Sequence, residues 1–259
     1  MKPYYDNNGI TIYCADMRDI PLPAAALVLT DPPYAEETHK GARTHPPHFD
    51  DPDGAHDPPK LVDFDSITAA DLRACFDWIG GTARAWVVSF MDWRHIYHFE
   101  QEPPEGLRFV RFGVWIKPNG APQFTGDRPG VGWEGIAFLH RAGGRMTWNG
   151  GGHHAVYTCS VAHQDYRISG NPTAKPIPLV AQLMRQFSSP GDLVVDPFMG
   201  SGTTLAVARL LGRRAVGIER DERQCAALVR WLEQPVSKRS ARRLMGEQPM
   251  LFDSLELSL

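Results

Sequence analysis

An apolar run, Ala26-Leu27-Val28-Leu29-Thr30, leads straight into Asp31-Pro32-Pro33-Tyr34. A plain strand exit needs a turn. It does not need a carboxylate and an aromatic ring on either side of two rigid residues. Prolines fix their own φ and restrict the residue before them, so Asp31 and the Pro32 carbonyl are held in place.

A second chemical stretch lies far downstream, Val194-Val195-Asp196-Pro197-Phe198-Met199-Gly200-Ser201-Gly202-Thr203-Thr204. Glycines between a strand and a helix let the chain turn tightly and let a ligand approach the backbone. The helix start beyond them offers unsatisfied N–H groups and a positive dipole end, which suit a carboxylate or a phosphate. The dinucleotide fingerprint needs a third glycine, and Leu205 stands there instead. The phosphate-binding P-loop needs a lysine before the Ser/Thr, and none is present. Glu219 ends the next strand-like run, 23 residues after Asp196. An acid at that place accepts hydrogen bonds from ribose hydroxyls. A ligand with a ribose and a carboxylate arm, without a pyrophosphate, fits both features, and S-adenosylmethionine is such a ligand.

The elements that must hold these residues are legible in outline. "GITIYCADM", "AALVLT", "AWVVSF", "RFVRFGVWIKP" and "WEGIAFLHR" read as strands. "SITAADLRACFDWIG" reads as a helix capped by Ser66 and stopped by Gly80-Gly81. "KPIPLVAQLMRQFS" reads as an amphipathic helix entered through prolines. After it come a strand ("DLVVDP"), the glycine turn, a helix ("TTLAVARLLG"), a strand ("RAVGIE") and a helix ("DERQCAALVRWLEQ"). Alternating strands and helices imply a parallel sheet.

The chain of 259 residues is sized for one catalytic domain, 1–259. Within it, 35–60 reads as a mobile loop, 119–171 as a small insertion and 235–259 as a peripheral tail. Its 42% hydrophobic and 22% charged residues are those of a globular protein. No apolar run approaches a membrane span, and the N-terminus has no signal-peptide pattern. A cytoplasmic, prokaryotic or phage-encoded chain with no membrane partner is the expectation. The scattered Cys14, Cys75, Cys159 and Cys225 read as reduced thiols. His153, His154, Cys159 and His163 lack the tight paired spacing of a zinc site, and no metal is expected. Residues 1–80 hold 6 Lys/Arg against 14 Asp/Glu, and residues 205–245 hold 10 against 4. The basic block reads equally as a nucleic-acid-facing surface or as solvated helix faces.

Asp31-Pro32-Pro33-Tyr34 beside the Asp-Pro-Phe-x-Gly-Ser-Gly turn resembles the amino-group DNA methyltransferases, which make N6-methyladenine or N4-methylcytosine. "CADMRDIPLPAAALVLTDPPY", "VWIKPNGAPQF", "WEGIAFLHR", "NPTAKPIPLV", "DPFMGSGTT" and "GIERD" stand in family order, so the resemblance covers most of the chain. The order, target-base half before cofactor half, is that of the beta-type class. The resemblance implies a Rossmann-like α/β fold, with a seven-stranded, mostly parallel sheet and one antiparallel strand. It implies S-adenosylmethionine as cofactor and double-stranded DNA as substrate.

The resemblance also implies residue roles. Asp31, Pro32, Pro33 and Tyr34 form the catalytic motif. The Asp31 carboxylate and the Pro32 carbonyl accept the two N–H bonds of an exocyclic amino group and localise its lone pair, a preorganised electrostatic arrangement. Tyr34 stacks on a base that has left the duplex. Asp31, Asp196, Phe198, Gly200, Ser201, Gly202 and Thr203 lie along the cofactor, and Glu219 binds its ribose. Thr173 and Lys175 complete the methionine pocket, and Asp16 lies near the adenine. For Asp16 and Thr173 a turn cap is the competing reading. Asp31 in first place favours adenine N6 over cytosine N4. The same chemistry on RNA or a protein amide, and a silent binding module, are the rivals.

Target recognition falls in 35–60 and 119–171, with Arg128, Arg141, Arg145 and Arg167 as candidate contacts. So small a lobe implies a short recognition sequence or a homodimer. Gln248-Pro249-Met250-Leu251-Phe252 resembles short peptides that bind bacterial replication clamps. Docking back on the chain, or a dimer contact, is the alternative.

Overall fold

The computed structural model describes residues 1–34, 67–120, 122–123, 126–161, 174–235 and 241. The 35–60 loop, Ser66, His163, Arg167, Thr173 and Gln248–Phe252 lie outside them.

Nine strands form one sheet among the described residues: β1 (Tyr5–Asn7), β2 (Ile10–Cys14), β3 (Ala25–Thr30), β4 (Ala83–Met91), β5 (Leu107–Ile116), β6 (Trp133–Arg141), β7 (Val156–Thr158), β8 (Leu193–Asp196) and β9 (Arg214–Glu219). Their order is β1-β2-β9-β8-β3-β4-β6-β5-β7. Five α-helices of eight residues or more accompany them among the described residues: α1 (Ala69–Thr82), α2 (Trp93–Gln101), α3 (Ile177–Phe187), α4 (Thr203–Leu210) and α5 (Glu222–Leu232).

The count corrects the expectation of seven strands. β1 and β7 are three-residue strands at the two edges, too short to leave a periodic signal. The seven between them carry the expected pattern, with β6 antiparallel to both its neighbours. β1 is a second antiparallel strand, paired to β2.

β3 is central and covered on both faces. Leu27 and Leu29 face one core with α3, α4 and α5. Val28 faces the other with α1 and α2. Two helical layers around the sheet explain why "ALVL" is apolar at every position rather than alternating.

Helix starts follow local chemistry. Asp221 caps α5 by accepting from the Arg223 N–H at 2.8 Å, and prolines open α3. α1 is capped by Thr68, not Ser66, and runs through Gly80-Gly81 to Thr82. Gly80 is there for close approach. A Cβ on it would lie 1.9 Å from the Glu105 carbonyl oxygen. α2 was not legible in "DWRHIYHFEQ", whose apolar face is narrow. Asp92 starts it by accepting from the Arg94 N–H at 2.8 Å.

Three arginines of the basic block are engaged within the fold. Arg209 donates to the Leu232 and Gln234 carbonyls at the end of α5. Buried Arg213 donates to Leu211 O at 2.7 Å and Ser188 O at 2.9 Å, tying the end of α3 to the turn after α4. Arg223 pairs with Asp221 at 2.9 Å. No cysteine is in a disulfide. No described helix is long and apolar enough to cross a membrane.

Candidate active site

β3 and β8 are parallel neighbours, with Leu27 beside Val194 and Val28 beside Val195. From β3 the chain proceeds through α1 to β4 on one side. From β8 it proceeds through α4 to β9 on the other. The loops after β3 and β8 therefore part, which opens a crevice at the carboxyl ends of the strands, the place where open α/β sheets bind ligands. Asp31 follows β3, and the glycine turn follows β8. The Thr30 hydroxyl donates to Asp196 Oδ1 at 2.7 Å and locks the two exits together.

The Asp31 side chain is about a third exposed, and Pro32 is buried. Lys175 donates to Asp31 Oδ2. Asp31 Oδ1 is covered and has no hydrogen-bond partner among the described residues. Lys175 also pairs with Glu134 Oε1 at 3.0 Å. The Tyr34 hydroxyl donates to that same oxygen. Lys117 closes the set at 2.7 Å from Glu134 Oε2. The Lys175 ammonium lies 5.1 Å from the centre of the Phe90 ring and 5.6 Å from that of Tyr34. Lys117 lies 4.5 Å from the Trp115 ring centre.

Two cations and two carboxylates thus share one half-buried space. Burial pushes the Asp31 carboxyl up, partly offset by Lys175. Burial works against the Glu134 carboxylate too, but Lys175 and Lys117 outweigh it and hold its pKa at about 2. Burial also disfavours the Lys175 ammonium, yet Asp31 and Glu134 hold it above the ordinary lysine value. Burial, with Glu134 close by, pushes the Tyr34 phenol well up. Glu134 is therefore ionised, and Lys175 and Tyr34 keep their protons.

The glycine turn is organised by Glu219. Its Oε2 accepts from the Gly200 N–H at 3.0 Å and its Oε1 from the Asp221 N–H at 2.8 Å. Each oxygen keeps a further lone pair for a hydroxyl. Gly200 has φ +48°, and a Cβ there would meet nothing within 4 Å. Gly202 has φ +79°, and a Cβ there would lie 2.3 Å from Leu228 Cδ2. One glycine leaves open space over the turn, and the other lets α4 pack on α5. Ser201 and Thr203 are buried with their hydroxyls 3.3 Å apart. Phe198 donates its N–H to Asp196 Oδ1 at 3.2 Å. Burial pushes the Asp196 carboxyl up to about 7, against the donors Thr204, Thr30 and Phe198.

Asp16 sits at the same edge, since Cys14 in β2 is level with Glu219 in β9. Its carboxylate caps the turn through the Arg18 N–H at 3.0 Å and pairs with the guanidinium at 2.7 Å. Those Arg18 hydrogen bonds hold its pKa at about 2.

Asp31, Tyr34, Asp196, the glycine turn and Glu219 all lie at the carboxyl ends of the adjacent parallel strands β3, β8 and β9. The Lys175 ammonium stands on the Asp31 side of the crevice. Glu134 and Lys117 were not singled out from sequence. The available signal was an acid opening the apolar run of "WEGIAFLHR" and a lysine closing that of "VWIKP". Arg141 stands at the end of β6 opposite Glu134, about 23 Å away along a strand of this length. Arg128 pairs with Asp127 at 3.0 Å. His153 stacks on Tyr157, with centroids 5.2 Å apart, and contacts Gln182.

Comparison with known proteins gives the family and the fold. The DNA methylase model N6_N4_Mtase matches residues 25–230. The chain is 29% identical over 226 residues to the type II methyltransferase M.HinfI of Haemophilus influenzae, covering 80% of this chain and 62% of that protein. It is 46% identical over 57 residues to M.EcaI of Enterobacter cloacae, covering 22% of this chain and 13% of that one. The chain thus spans less than two thirds of the length of either relative. The structure of M1.HpyAVI in complex with SAM superposes with a TM-score of 0.63 at 21% identity, over 87% of this chain and 100% of that one. The cytosine-N4-specific PvuII DNA methyltransferase superposes with a TM-score of 0.64 at 16% identity, over 95% and 94%. With its fold, its crevice and a family model matching well over half its length, this chain belongs to the N6/N4 DNA methylases, the amino-methyltransferases.

Proposed function

We propose that this chain is an S-adenosylmethionine-dependent DNA methyltransferase acting on the exocyclic amino group of a flipped-out base, with adenine N6 as the target. The observation that carries the reading is Asp31 Oδ1: a covered acceptor without a partner among the described residues, just past the end of β3 at the strand switch point.

The residues present fit the cofactor. Glu219 offers acceptor capacity for ribose hydroxyls, and open space stands over Gly200 at the start of α4. Asp196, Phe198, Ser201, Gly202 and Thr203 shape that turn, with Asp16 beside it. β9 and β3 are two strands apart, roughly 10 Å, so a ligand held at Glu219 reaches Asp31 by its own length. When bound, the cofactor supplies a methyl group on a cationic sulfur, and that carbon–sulfur bond breaks toward sulfur as the new nitrogen–carbon bond forms.

The chain's own residues prepare the nitrogen. Asp31 Oδ1 accepts one amino N–H, and the Pro32 carbonyl accepts the other. Both are fixed before the base arrives, so little reorganisation remains at the moment of reaction. Asp31 then takes the proton that the methylated nitrogen sheds. That nitrogen is acidic, so no stronger base is needed. Tyr34, anchored by Glu134, offers its face to the base. Asp31, not Ser, in first place is what favours adenine over cytosine N4.

For DNA recognition we propose residues 35–60 and those parts of 119–171 that open from the catalytic edge. A homodimer would enlarge that surface. Gln248–Phe252 remains a proposal for a replication-clamp contact. The test is incubation with labelled cofactor and duplex DNA, then digestion to nucleosides and mass spectrometry. Label on N6-methyladenosine is the expected result. Label on N4-methylcytosine corrects the base. Transfer only to RNA or protein, or cofactor and DNA binding without transfer, overturns the reading.

A further inference from the structure

Among the described residues, Glu134 touches three other members of the buried polar set: Tyr34, Lys175 and Lys117. Resting on the reading above, we infer that Glu134 is a positioning residue for methyl transfer: it anchors the stacking ring of Tyr34 and gives the Lys175 ammonium a second seat when the target amino group claims Asp31.

The need for a second seat follows from charge. Lys175 occupies Asp31 Oδ2 in this structure. An amino group donating to the same carboxylate weakens that pairing. The Lys175 side chain is 12% exposed and lies over Phe90, so an ammonium there must keep a counter-charge. Glu134 Oε1, at 3.0 Å, provides it without a change of place. Glu134 is itself fixed from behind. Its Oε2 holds Lys117 at 2.7 Å, and its β6 position is paired with Trp115 of β5. The oxygen that receives Lys175 also receives the Tyr34 hydroxyl, so ring and ammonium are placed by one atom.

Replacing Glu134 with Gln keeps the shape and removes the charge. Lys175 then has Asp31 alone and stays on it. Glu134→Gln is expected to lower kcat by roughly 10- to 100-fold while cofactor affinity and KM for DNA stay within about 3-fold. Glu134→Asp restores the charge at shorter reach and recovers part of the loss.

A readout free of substrate is the titration of Lys175 in cofactor-free protein, followed by NMR with isotope-labelled lysine and assigned through Lys175→Arg. The groups facing this ammonium are Asp31 and Tyr34 beyond β3, Glu134 on β6 and Lys117 beyond β5, with apolar Phe90 from β4. Glu134→Gln is expected to move that titration down. The inference is overturned if the titration does not move, if Glu134→Gln turns over like wild type, or if Glu134→Asp is no better than Gln. It is also overturned if folding and cofactor binding are lost in parallel with activity, which marks a merely structural residue. A wild-type chain that methylates no DNA overturns the functional reading, and this inference with it, even where the lysine titration moves as stated.

Discussion

Asp31 has one oxygen held by Lys175 and the other covered and waiting. Asp31→Asn keeps the volume and removes the charge proposed above to localise the amino lone pair. Methyl transfer is expected to fall by roughly 10²- to 10⁴-fold in single turnover, with cofactor affinity nearly unchanged in an equilibrium titration. Retention of more than a tenth of the rate would remove the Asp31 charge from the mechanism. Asp196 carries a different signal, in stability. Burial raises its folded pKa to about 7, above the unfolded value, so the folded state holds a proton that the unfolded state has lost. The protein therefore loses stability as pH rises from the carboxylate range through about 7. Asp196→Asn cannot ionise. Its Tm relative to wild type should climb between pH 5 and pH 8, and a flat difference would refute the assignment. Asp31, Asp196 and Glu219 were legible because each ends an apolar run. Glu134 was not, because its significance lies in partners from three other stretches of chain, and no spacing rule connects position 134 to 34, 117 and 175.

Elements place these residues through backbone geometry that only some sequence signals report. The glycine turn is the clearest case. Gly200 and Gly202 look equivalent in sequence, yet their surroundings differ. Gly200→Ala meets open space, so its stability loss is the left-handed backbone alone, about 1–2 kcal/mol. Gly202→Ala adds a clash with Leu228 in α5 and should lose about 2–4 kcal/mol. Urea unfolding of the two variants checks the difference, and equal losses would contradict it. The long strands and α3, α4 and α5 were readable because period and apolar content agree. The cap of α1 was misplaced because Ser66 and Thr68 are both competent caps, and only the fold chooses Thr68. Gly80-Gly81 misled for a related reason. Glycine signals a stop when conformation is the constraint, but here closeness to Glu105 is.

Across the whole molecule, one sheet carries the proposed catalytic and cofactor residues that the structure describes to a single edge. The strand direction that reverses at β6 brings the start of a strand, rather than its end, to that edge. β5 arrives at Lys117, β6 departs at Glu134, and the two are joined by their ion pair and by the Lys117 N–H on Gly132 O at 2.8 Å. Replacing residues 118–131 with a short Gly/Ser connection should leave cofactor affinity within about 2-fold, because that site lies on the other side of β3. The same replacement should abolish the preference for one DNA sequence, read by sequencing the methylated bases. Unchanged preference would assign recognition elsewhere.

That tie has an evolutionary consequence. If recognition lies between Lys117 and Glu134, a segment fastened at both ends to one sheet can be exchanged without rebuilding what lies beneath it. Its contents can be lengthened, shortened or borrowed while the clamp beneath keeps its shape. Under the proposed recognition role, exchanging this connection is expected to change the DNA word that is read, with the pair Lys117 and Glu134 as the fixed base on either side of it.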